Sequence, residues 1–149
     1  MTLQPNQLDQ SVGFLMGVAY RKLTGLLQQR LKAYDITPEQ WSVLYHISRT
    51  DGMIQRDIAE LAEKDHPTTT RILDHLLKKG LVKKQVNDED RRAFLVSLTD
   101  SGRTLLEQTE PIEQSITADI QQCMTNEEYD VFMKALRRIH THTSQLMKS

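Results

Sequence analysis

Apolar residues recur at helical spacing near both ends of the chain. Across residues 9–33 they repeat at intervals of about 3.6 residues, which predicts one long amphipathic helix. After residue 99 they fall mostly on every fourth residue, and a further apolar stripe follows between residues 129 and 146. The pattern therefore predicts long helices at both ends of the chain, over about 9–33 and, in two segments, over about 100–148.

Helix start signals sharpen these boundaries. Thr37 can cap a helix, Pro38 suits the first helical position and Gln40 completes a capping box, so a second helix is predicted to begin here. Thr125 and Glu128 form the same pairing at the start of the last helix. No repeat, low-complexity segment or Pro/Gly-rich linker interrupts the 149 residues, which favours a single domain over 1–149.

The middle of the chain has a more compact pattern. In order, it predicts a short helix over 56–62, a turn, a helix over 67–79, and strands over 81–86 and 93–98 that flank a charged turn. Two helices around a short turn (about 55–79) and a ribbon with a basic tip (about 81–98) form a winged helix-turn-helix. The predicted fold is mainly α with a small β-wing. It can place a helix in the major groove of DNA and an arginine beside the minor groove.

The second helix of this motif divides into an apolar face and a polar face. Ile72, Leu73, Leu76 and Leu77 define the core side, with Thr69 bordering it. The polar side is predicted to carry Pro67, Thr68, Arg71, His75 and Lys78. On DNA, the arginine can bind guanine O6 and N7, the threonine a base edge, and the lysine a phosphate. The alternative is an ordinary amphipathic helix with a solvated polar face.

The charged turn pairs an acid with an arginine. Asp90 precedes Arg92 by two residues, so the carboxylate can hold the guanidinium in one direction through a charge-assisted hydrogen bond. An arginine at a ribbon tip can enter the electronegative minor groove. The alternative is a hairpin with solvated charges.

Charge is unevenly distributed along the chain. The net charge is −1, but residues 64–92 hold eight basic and five acidic residues, a net +3 that leaves −4 for the rest. A locally positive module on an acidic body fits contact with phosphate through one face. No apolar run suffices to cross a membrane, no signal peptide is visible, and the single Cys123 fits a reducing compartment, so we expect a cytoplasmic protein with no membrane association.

The motifs of the middle segment resemble those of the MarR family (multiple-antibiotic-resistance regulators), bacterial winged-helix transcription factors. The matching residues are Thr68-Thr69-Thr70-Arg71, the run Leu76-Leu77-Lys78-Lys79-Gly80-Leu81-Val82, Asp90-x-Arg92, Leu98-Thr99-x-x-Gly102, and Trp41 before Val43-Leu44. Length and element order agree over nearly the whole chain. One departure is Thr69, where the family commonly has valine.

The resemblance implies a homodimer that binds a pseudo-palindromic operator in double-stranded DNA, with the terminal helices at the dimer interface. An intramolecular bundle of the terminal helices is the alternative use of their apolar stripes. Most members repress transcription, and a small ligand or oxidant commonly lowers DNA affinity. Base recognition is carried over to Thr68, Thr70 and Arg71, and minor-groove binding to Arg92 with Asp90. The full predicted DNA-binding set is Pro67, Thr68, Thr69, Thr70, Arg71, His75, Lys78, Asp90, Arg91 and Arg92.

The sequence offers two candidate sites for an effector that regulates DNA binding, a group of aromatic residues and a single cysteine. Some relatives bind aromatic acids, and Tyr20, Trp41 and Tyr45 could line such a pocket, although aromatics at this spacing also suit a plain core. Cys123 aligns with the apolar stripe of its helix, which favours a buried structural thiol over a redox sensor.

Other functional classes find little support. His140 and His142 are two residues apart and point in different directions, so we expect no metal site, and no motif calls for a cofactor. No phosphate-binding loop or nucleophile motif indicates an enzyme. The rival to a DNA-binding regulator is a helical protein-interaction adaptor that uses the winged domain without DNA.

Overall fold

Six α-helices, two short 3-10 helices and three strands make up residues 7–50 and 52–149, the part of the chain that this computed structural model describes. The N-terminal residues searched for a signal peptide lie largely outside that part, as does Asp51. The elements are α1 (Val12–Leu31), α2 (Pro38–Ser48), β1 (Met53–Ile54), α3 (Gln55–Leu61), α4 (His66–Lys78), β2 (Val82–Val86), β3 (Phe94–Leu98), α5 (Asp100–Gln122) and α6 (Asn126–Met147).

The first helix is shorter than the periodicity predicts. Ser11 is extended, so the preceding residues Gln7–Gln10 form a separate 3-10 turn and α1 begins at Val12. At the other end the chain tightens into a 3-10 turn over Lys32–Tyr34 and stops at Asp35, whose φ is +53°. The spacing of apolar residues does not distinguish a short 3-10 turn from an α-helical one, because the side chains stay on nearly the same face.

Both predicted capping boxes are confirmed. Gln40 N donates to Thr37 Oγ1 at 3.1 Å and Thr37 N donates to Gln40 Oε1 at 3.3 Å. At α6, Glu128 N donates to Thr125 Oγ1 at 3.1 Å and Thr125 N to Glu128 Oε1 at 2.8 Å. These reciprocal bonds satisfy backbone donors that the first helical turn cannot pair internally.

The wing is part of a three-stranded sheet rather than the two-stranded ribbon predicted. Its order is β1-β3-β2 with both pairings antiparallel, and Met53 lies opposite Val96 on the added strand. The long pairing runs from Val82 opposite Leu98 to Val86 opposite Phe94. A strand of two residues directly before a helix has no period for a sequence pattern to reveal.

The core of the helix-turn-helix lies where α2, α3, α4 and the sheet meet. Its fully buried side chains include Val43, Leu44, Ile58, Ile72 and Val96. Fully burying an aliphatic side chain of this size contributes roughly 1.5–3 kcal/mol to stability, so these contacts hold the helices and the sheet together. The predicted mainly α, winged helix-turn-helix architecture is confirmed.

The contacts divide the chain into two compact units, Met1–Glu113 and Gln114–Ser149. The first contains the helix-turn-helix and the sheet, and the second contains the end of α5 and all of α6. No residue of α6 is buried, and Val131, Phe132 and Leu146 are exposed on it. Within the described residues, no helix combines the length and apolarity needed to span a bilayer.

Candidate DNA-binding surface

Asp65 sets the start of α4. Its side chain accepts a hydrogen bond from Thr68 N at 2.7 Å, while Pro67 occupies the first turn, where a missing N–H costs nothing. This hydrogen bond from the Thr68 backbone lowers the pKa of the Asp65 carboxyl, because it favours the charged form. The capped turn gives the helix a defined N-terminus at the end predicted to enter DNA.

The inward face of α4 is nearly as predicted. Ile72, Leu73 and Leu76 are buried, and Leu77 is only half-buried. Thr69 has no exposed surface, and its hydroxyl donates to Asp65 O at 2.8 Å. Its inclusion among the DNA-contacting residues is therefore wrong in this structure, because a side chain packed in the core cannot reach a base.

The outward face of α4 presents most of the remaining predicted residues. Pro67, Thr70, Arg71, His75 and Lys78 are exposed, whereas Thr68 is half-buried. The Thr70 hydroxyl accepts from Gln55 Nε2 at 2.6 Å and donates to His66 O at 3.0 Å. Helical geometry places Pro67, Arg71 and Lys78 on one side of the helix, so a single groove could contact all three.

Two further charged residues belong to this surface, Asp74 within α4 and Lys79 directly after its last residue. Asp74 is exposed between Arg71 and Lys78 and puts a negative charge on the outward face. Lys79 Nζ bonds Asp35 O and also donates to Gln40 Oε1 at 2.9 Å, so it joins α4 to the start of α2. A helical projection would have shown Asp74, but the partners of Lys79 lie far along the chain.

The predicted acid-arginine pair of the wing is present. Asp90 Oδ1 accepts from Arg92 N at 3.1 Å and from Arg92 Nε at 3.2 Å. The Arg92 side chain is 93% exposed, so most of its guanidinium faces solvent while one edge is held. Arg91 is also exposed, and Asn87 Oδ1 accepts from Glu89 N at 3.0 Å on the other side of the turn. The tip thus presents two cations on a turn braced by its own carboxylate and amide.

Two glycine-containing motifs join α4, the wing and α5. Gly80 ends α4 with φ +72°, a left-handed conformation that favours glycine, and Leu81 N donates to Leu76 O at 3.0 Å. Thr99 Oγ1 donates to Gly80 O at 2.6 Å and accepts from Gly102 N at 3.1 Å. A Cβ on Gly102 would lie 2.1 Å from Leu81 O. The spacing Leu-Thr-x-x-Gly therefore reflects a close backbone contact that attaches the wing to the first turn of α5.

The three aromatic residues predicted to line a ligand pocket have different environments. Trp41 is buried, its Nε1 donates to Thr109 Oγ1 at 2.8 Å, and its ring stacks on Tyr45 with 5.5 Å between centroids. Tyr45 is half-buried with the Arg49 guanidinium 5.8 Å from its ring centre. Tyr20 is 66% exposed on α1. Trp41 thus fills the core rather than a cavity, while Tyr45 and Tyr20 keep accessible surface.

The sulfur of Cys123 is not in the core. The residue is exposed and Sγ donates to Ile120 O at 3.0 Å, so the expectation of a buried thiol is wrong for this chain. Cys123 lies directly after the last residue of α5 and three residues before α6 begins, where the chain leaves the helix. Across the described part of the chain, no cluster of three potential metal-ligating side chains occurs.

A capped helix with a polar outward face, preceded by a short helix and followed by an arginine-tipped wing, defines the class of winged-helix DNA-binding proteins. The family model described as "MarR family" matches residues 34–93, which include both helices of the motif and most of the wing. Over this segment the chain is similar to MarR-family proteins, and the similarity identifies it as a DNA-binding transcriptional regulator. These findings point to a regulator family rather than to an enzyme.

The similarity extends beyond the matched segment. An HTH-type transcriptional regulator of Bacillus subtilis (strain 168), YdgJ, is 28% identical over 137 residues, which cover 92% of this chain and 77% of that protein. A mutant of Escherichia coli MarR in complex with operator DNA superposes with a TM-score of 0.84 at 26% identity, covering 92% of this chain and 99% of that one. Bordetella bronchiseptica BpsR, whose DNA binding is regulated by 6-hydroxynicotinic acid, gives 0.85 at 25% identity over 92% and 98% of the two chains.

Proposed function

We propose that this chain is a homodimeric repressor that binds a pseudo-palindromic operator and is released from it by a small aromatic effector. The observation that carries the proposal is the outward face of α4 beside a wing whose tip holds Arg92 against Asp90. We also propose that the protein acts in the cytoplasm, where a bacterial regulator meets chromosomal DNA. The MarR–operator complex supports the groove assignment by its similar fold.

Base recognition is assigned to the first turns of α4. Arg71 can bind guanine O6 and N7, Thr70 can contact a base edge, and half-buried Thr68 can contact the backbone or a thymine methyl at the groove wall. Lys78, farther along the helix, suits a phosphate. His75 and Pro67 complete the surface that faces the groove.

Minor-groove binding is assigned to Arg92, with Asp90 as its orienting residue. The hydrogen bond from Arg92 Nε to Asp90 uses one N–H donor of the guanidinium and leaves the donors of its terminal amino groups available for DNA. A narrow minor groove concentrates negative potential, which attracts such a guanidinium without requiring a particular base. Arg91 lies beside it and suits the neighbouring phosphate.

Salt dependence tests DNA binding as such. We expect affinity for a duplex selected from random sequence to fall steeply and linearly in log–log form with salt, because bound lysines and arginines displace counterions. A protein-interaction adaptor would bind no duplex at any ionic strength. If the purified protein binds none at low salt and without effector, the proposal is wrong.

Two arginine variants separate the assigned roles. We expect Arg71→Ala to cost about 1–3 kcal/mol of binding free energy and to relax the base preference at one position of each half-site. Arg92→Ala should weaken binding to all duplexes with a smaller effect on preference. Lys32→Ala removes one exposed cation outside α4 and the wing and serves as the control. Unchanged operator affinity in either arginine variant would contradict its assignment.

Exposed apolar residues on the terminal helices support the homodimer. In α6 every residue keeps solvent access, and Phe132, Ile139 and Leu146 are among its exposed apolar side chains. In α1, Val12 is 64% and Leu15 50% exposed. Extended apolar surfaces of this kind mark protein contacts, and a second copy would cover both sets symmetrically. Sedimentation at micromolar concentration should give a dimer, and a monomer would overturn this part of the proposal.

Release by an aromatic acid is supported by BpsR and by the accessible aromatic surface of Tyr45 with Arg49 nearby. A cation beside a partly exposed ring suits a ligand with a carboxylate on an aromatic ring. Aromatic acids, 6-hydroxynicotinic acid among them, should be titrated into the protein–DNA complex. Loss of binding with one of them is expected, and retention with the whole series would contradict the proposed effector class.

A further inference from the structure

The first turn of α2 forms a rigid support beside the recognition helix. Thr37 and Gln40 exchange the two hydrogen bonds of the capping box, and Pro38 restricts the backbone between them. Gln40 is buried, although Glu39, its neighbour, is exposed. The backbone that carries Glu39 is thus fixed by its neighbours, which limits where the carboxylate can move.

One row of side chains on α4 contacts this support. Arg71, His75 and Lys79 follow one another at four-residue intervals, so they lie on the same side of the helix. His75 Nδ1 is 3.5 Å from Gln40 Nε2, and Lys79 Nζ donates to Gln40 Oε1 at 2.9 Å. The first member of the row meets a carboxylate instead of an amide, because Arg71 Nη2 donates to Glu39 Oε2 at 3.2 Å.

The contact occupies only part of the guanidinium. A single nitrogen of Arg71 meets Glu39, and both side chains remain about half exposed, at 53% and 52%. Arginine presents its N–H donors in a planar fork, so fixing one edge also fixes the direction of the rest. The remaining donors are therefore available for a base while the long side chain is already restrained.

Charge alone would make Glu39 unfavourable at this place. A carboxylate next to the helix that enters DNA repels phosphate, and it lowers affinity for every duplex unless another effect offsets the repulsion. The contact with Arg71 supplies such an effect, since an oriented arginine loses less conformational freedom when it forms its two bonds to guanine. The benefit then applies only to the sequence that Arg71 recognises.

We infer that Glu39 is a positioning residue for base recognition, which holds the Arg71 guanidinium in the direction required to distinguish guanine from other bases. The inference rests on the proposed function, because it assumes that Arg71 contacts DNA. It adds α2 to the elements that determine sequence specificity. The wing uses the same chemistry, in which Asp90 holds Arg92 from a neighbouring position.

The test measures discrimination rather than affinity alone. The probes are the selected duplex and a duplex altered at the base pair where Arg71→Ala loses its preference. Glu39→Gln keeps the shape of the side chain but weakens the charge-assisted bond. We expect the ratio of the two affinities to fall roughly three- to fivefold, the scale of an exposed ion pair, while affinity for the altered duplex stays equal or rises.

A second background and a matched control complete the experiment. In the Arg71→Ala background, Glu39→Gln should leave the ratio unchanged, because no guanidinium remains to be oriented. Glu60→Gln removes the same charge from an exposed position on α3 and should also leave the ratio unchanged. Equal thermal midpoints of the variants would show that folding is intact.

Two results would overturn the inference. The ratio could stay at its wild-type value in Glu39→Gln, or it could fall equally in the Arg71→Ala background. If the ratio stays unchanged while both affinities rise together, Glu39 is a competitor that withholds Arg71 from DNA. In each case the wild-type protein still binds its duplex selectively, so failure of the inference is distinct from failure of the proposed function.

Discussion

Replacing Gly102 by alanine tests the contact that joins the wing to α5. The added Cβ would lie 2.1 Å from Leu81 O and 3.1 Å from the Leu81 carbonyl carbon, whereas real Cβ contacts essentially never fall under 3.0 Å. The obstacle is backbone and not a flexible side chain. It is also tied in place, since Leu81 O accepts from Thr99 N at 3.0 Å and Gly80 O accepts from Thr99 Oγ1.

Two effects oppose each other in this substitution, and their sizes decide the sign. Alanine is favoured over glycine within a helix by about 1 kcal/mol. Overpacking a rigid site costs about 1–3 kcal/mol or more, and weakening the hydrogen bonds around Thr99 adds about 1 kcal/mol for each bond lost. We therefore expect Gly102→Ala to destabilise the fold by about 2 kcal/mol, which lowers the thermal midpoint by roughly 4–8 °C for a chain of this size.

Gly25→Ala provides the matched control with the opposite sign. Gly25 lies within α1, and a Cβ built there meets nothing within 4 Å in this chain. The same substitution should therefore stabilise the protein by roughly 0.5–1 kcal/mol through helix propensity alone.

Urea unfolding at one fixed protein concentration measures both variants. Trp41, the single tryptophan of the chain, reports on the core by its fluorescence, and circular dichroism reports on the helices. A Gly102→Ala protein as stable as wild type would refute the reasoning. It would mean that β2 and α5 can separate by about 1 Å without measurable cost.

Two further predictions concern hydrogen bonds. Thr109→Val should destabilise the protein by about 1–3 kcal/mol, because it leaves the buried Trp41 Nε1–H without its acceptor at 2.8 Å. The same urea assay measures it, and the exposed Thr104→Val, expected to be near neutral, controls for the change of residue type. Asp65 has a pKa lowered by the Thr68 backbone hydrogen bond, so its stabilising effect is present above the carboxyl's unfolded pKa and is lost as pH falls through the lower native value. The stability difference between wild type and Asp65→Asn, measured by urea unfolding from pH 7 down to about pH 3, should therefore shrink in the acidic range below about pH 4, and a constant difference would contradict the assignment.

Elements with a local cause were predictable from the sequence. The capping boxes at Thr37 and Thr125 were predicted and are present, because all their donors and acceptors lie within one helical turn. The contact between Asp90 and Arg92 was predicted for the same reason, since its partners are two residues apart. The apolar face of α4 also followed from its period, apart from the outer edge at Leu77.

Features that join distant segments were not predictable in this way. The strand Met53–Ile54 exists through its pairing with Val96 and Leu95, and no pattern of two residues can announce a partner so far along the chain. Cys123 shows the same limit for burial. Its spacing suggested the apolar stripe, yet the helix ends nearby and the side chain faces solvent.

For this protein, then, the sequence by itself determined the class of fold, the helix that we propose faces DNA and the arginine at the wing tip, because each depends on short-range spacing and side-chain type. The tertiary structure decided which of those side chains are accessible to DNA and which contacts they make. Thr69 is buried in the core, and Arg71 contacts Glu39, a residue 32 positions away in the sequence. Contacts of that separation arise only when the packing of α2 against α4 brings their surfaces together, and this packing depends on the whole set of buried side chains at once.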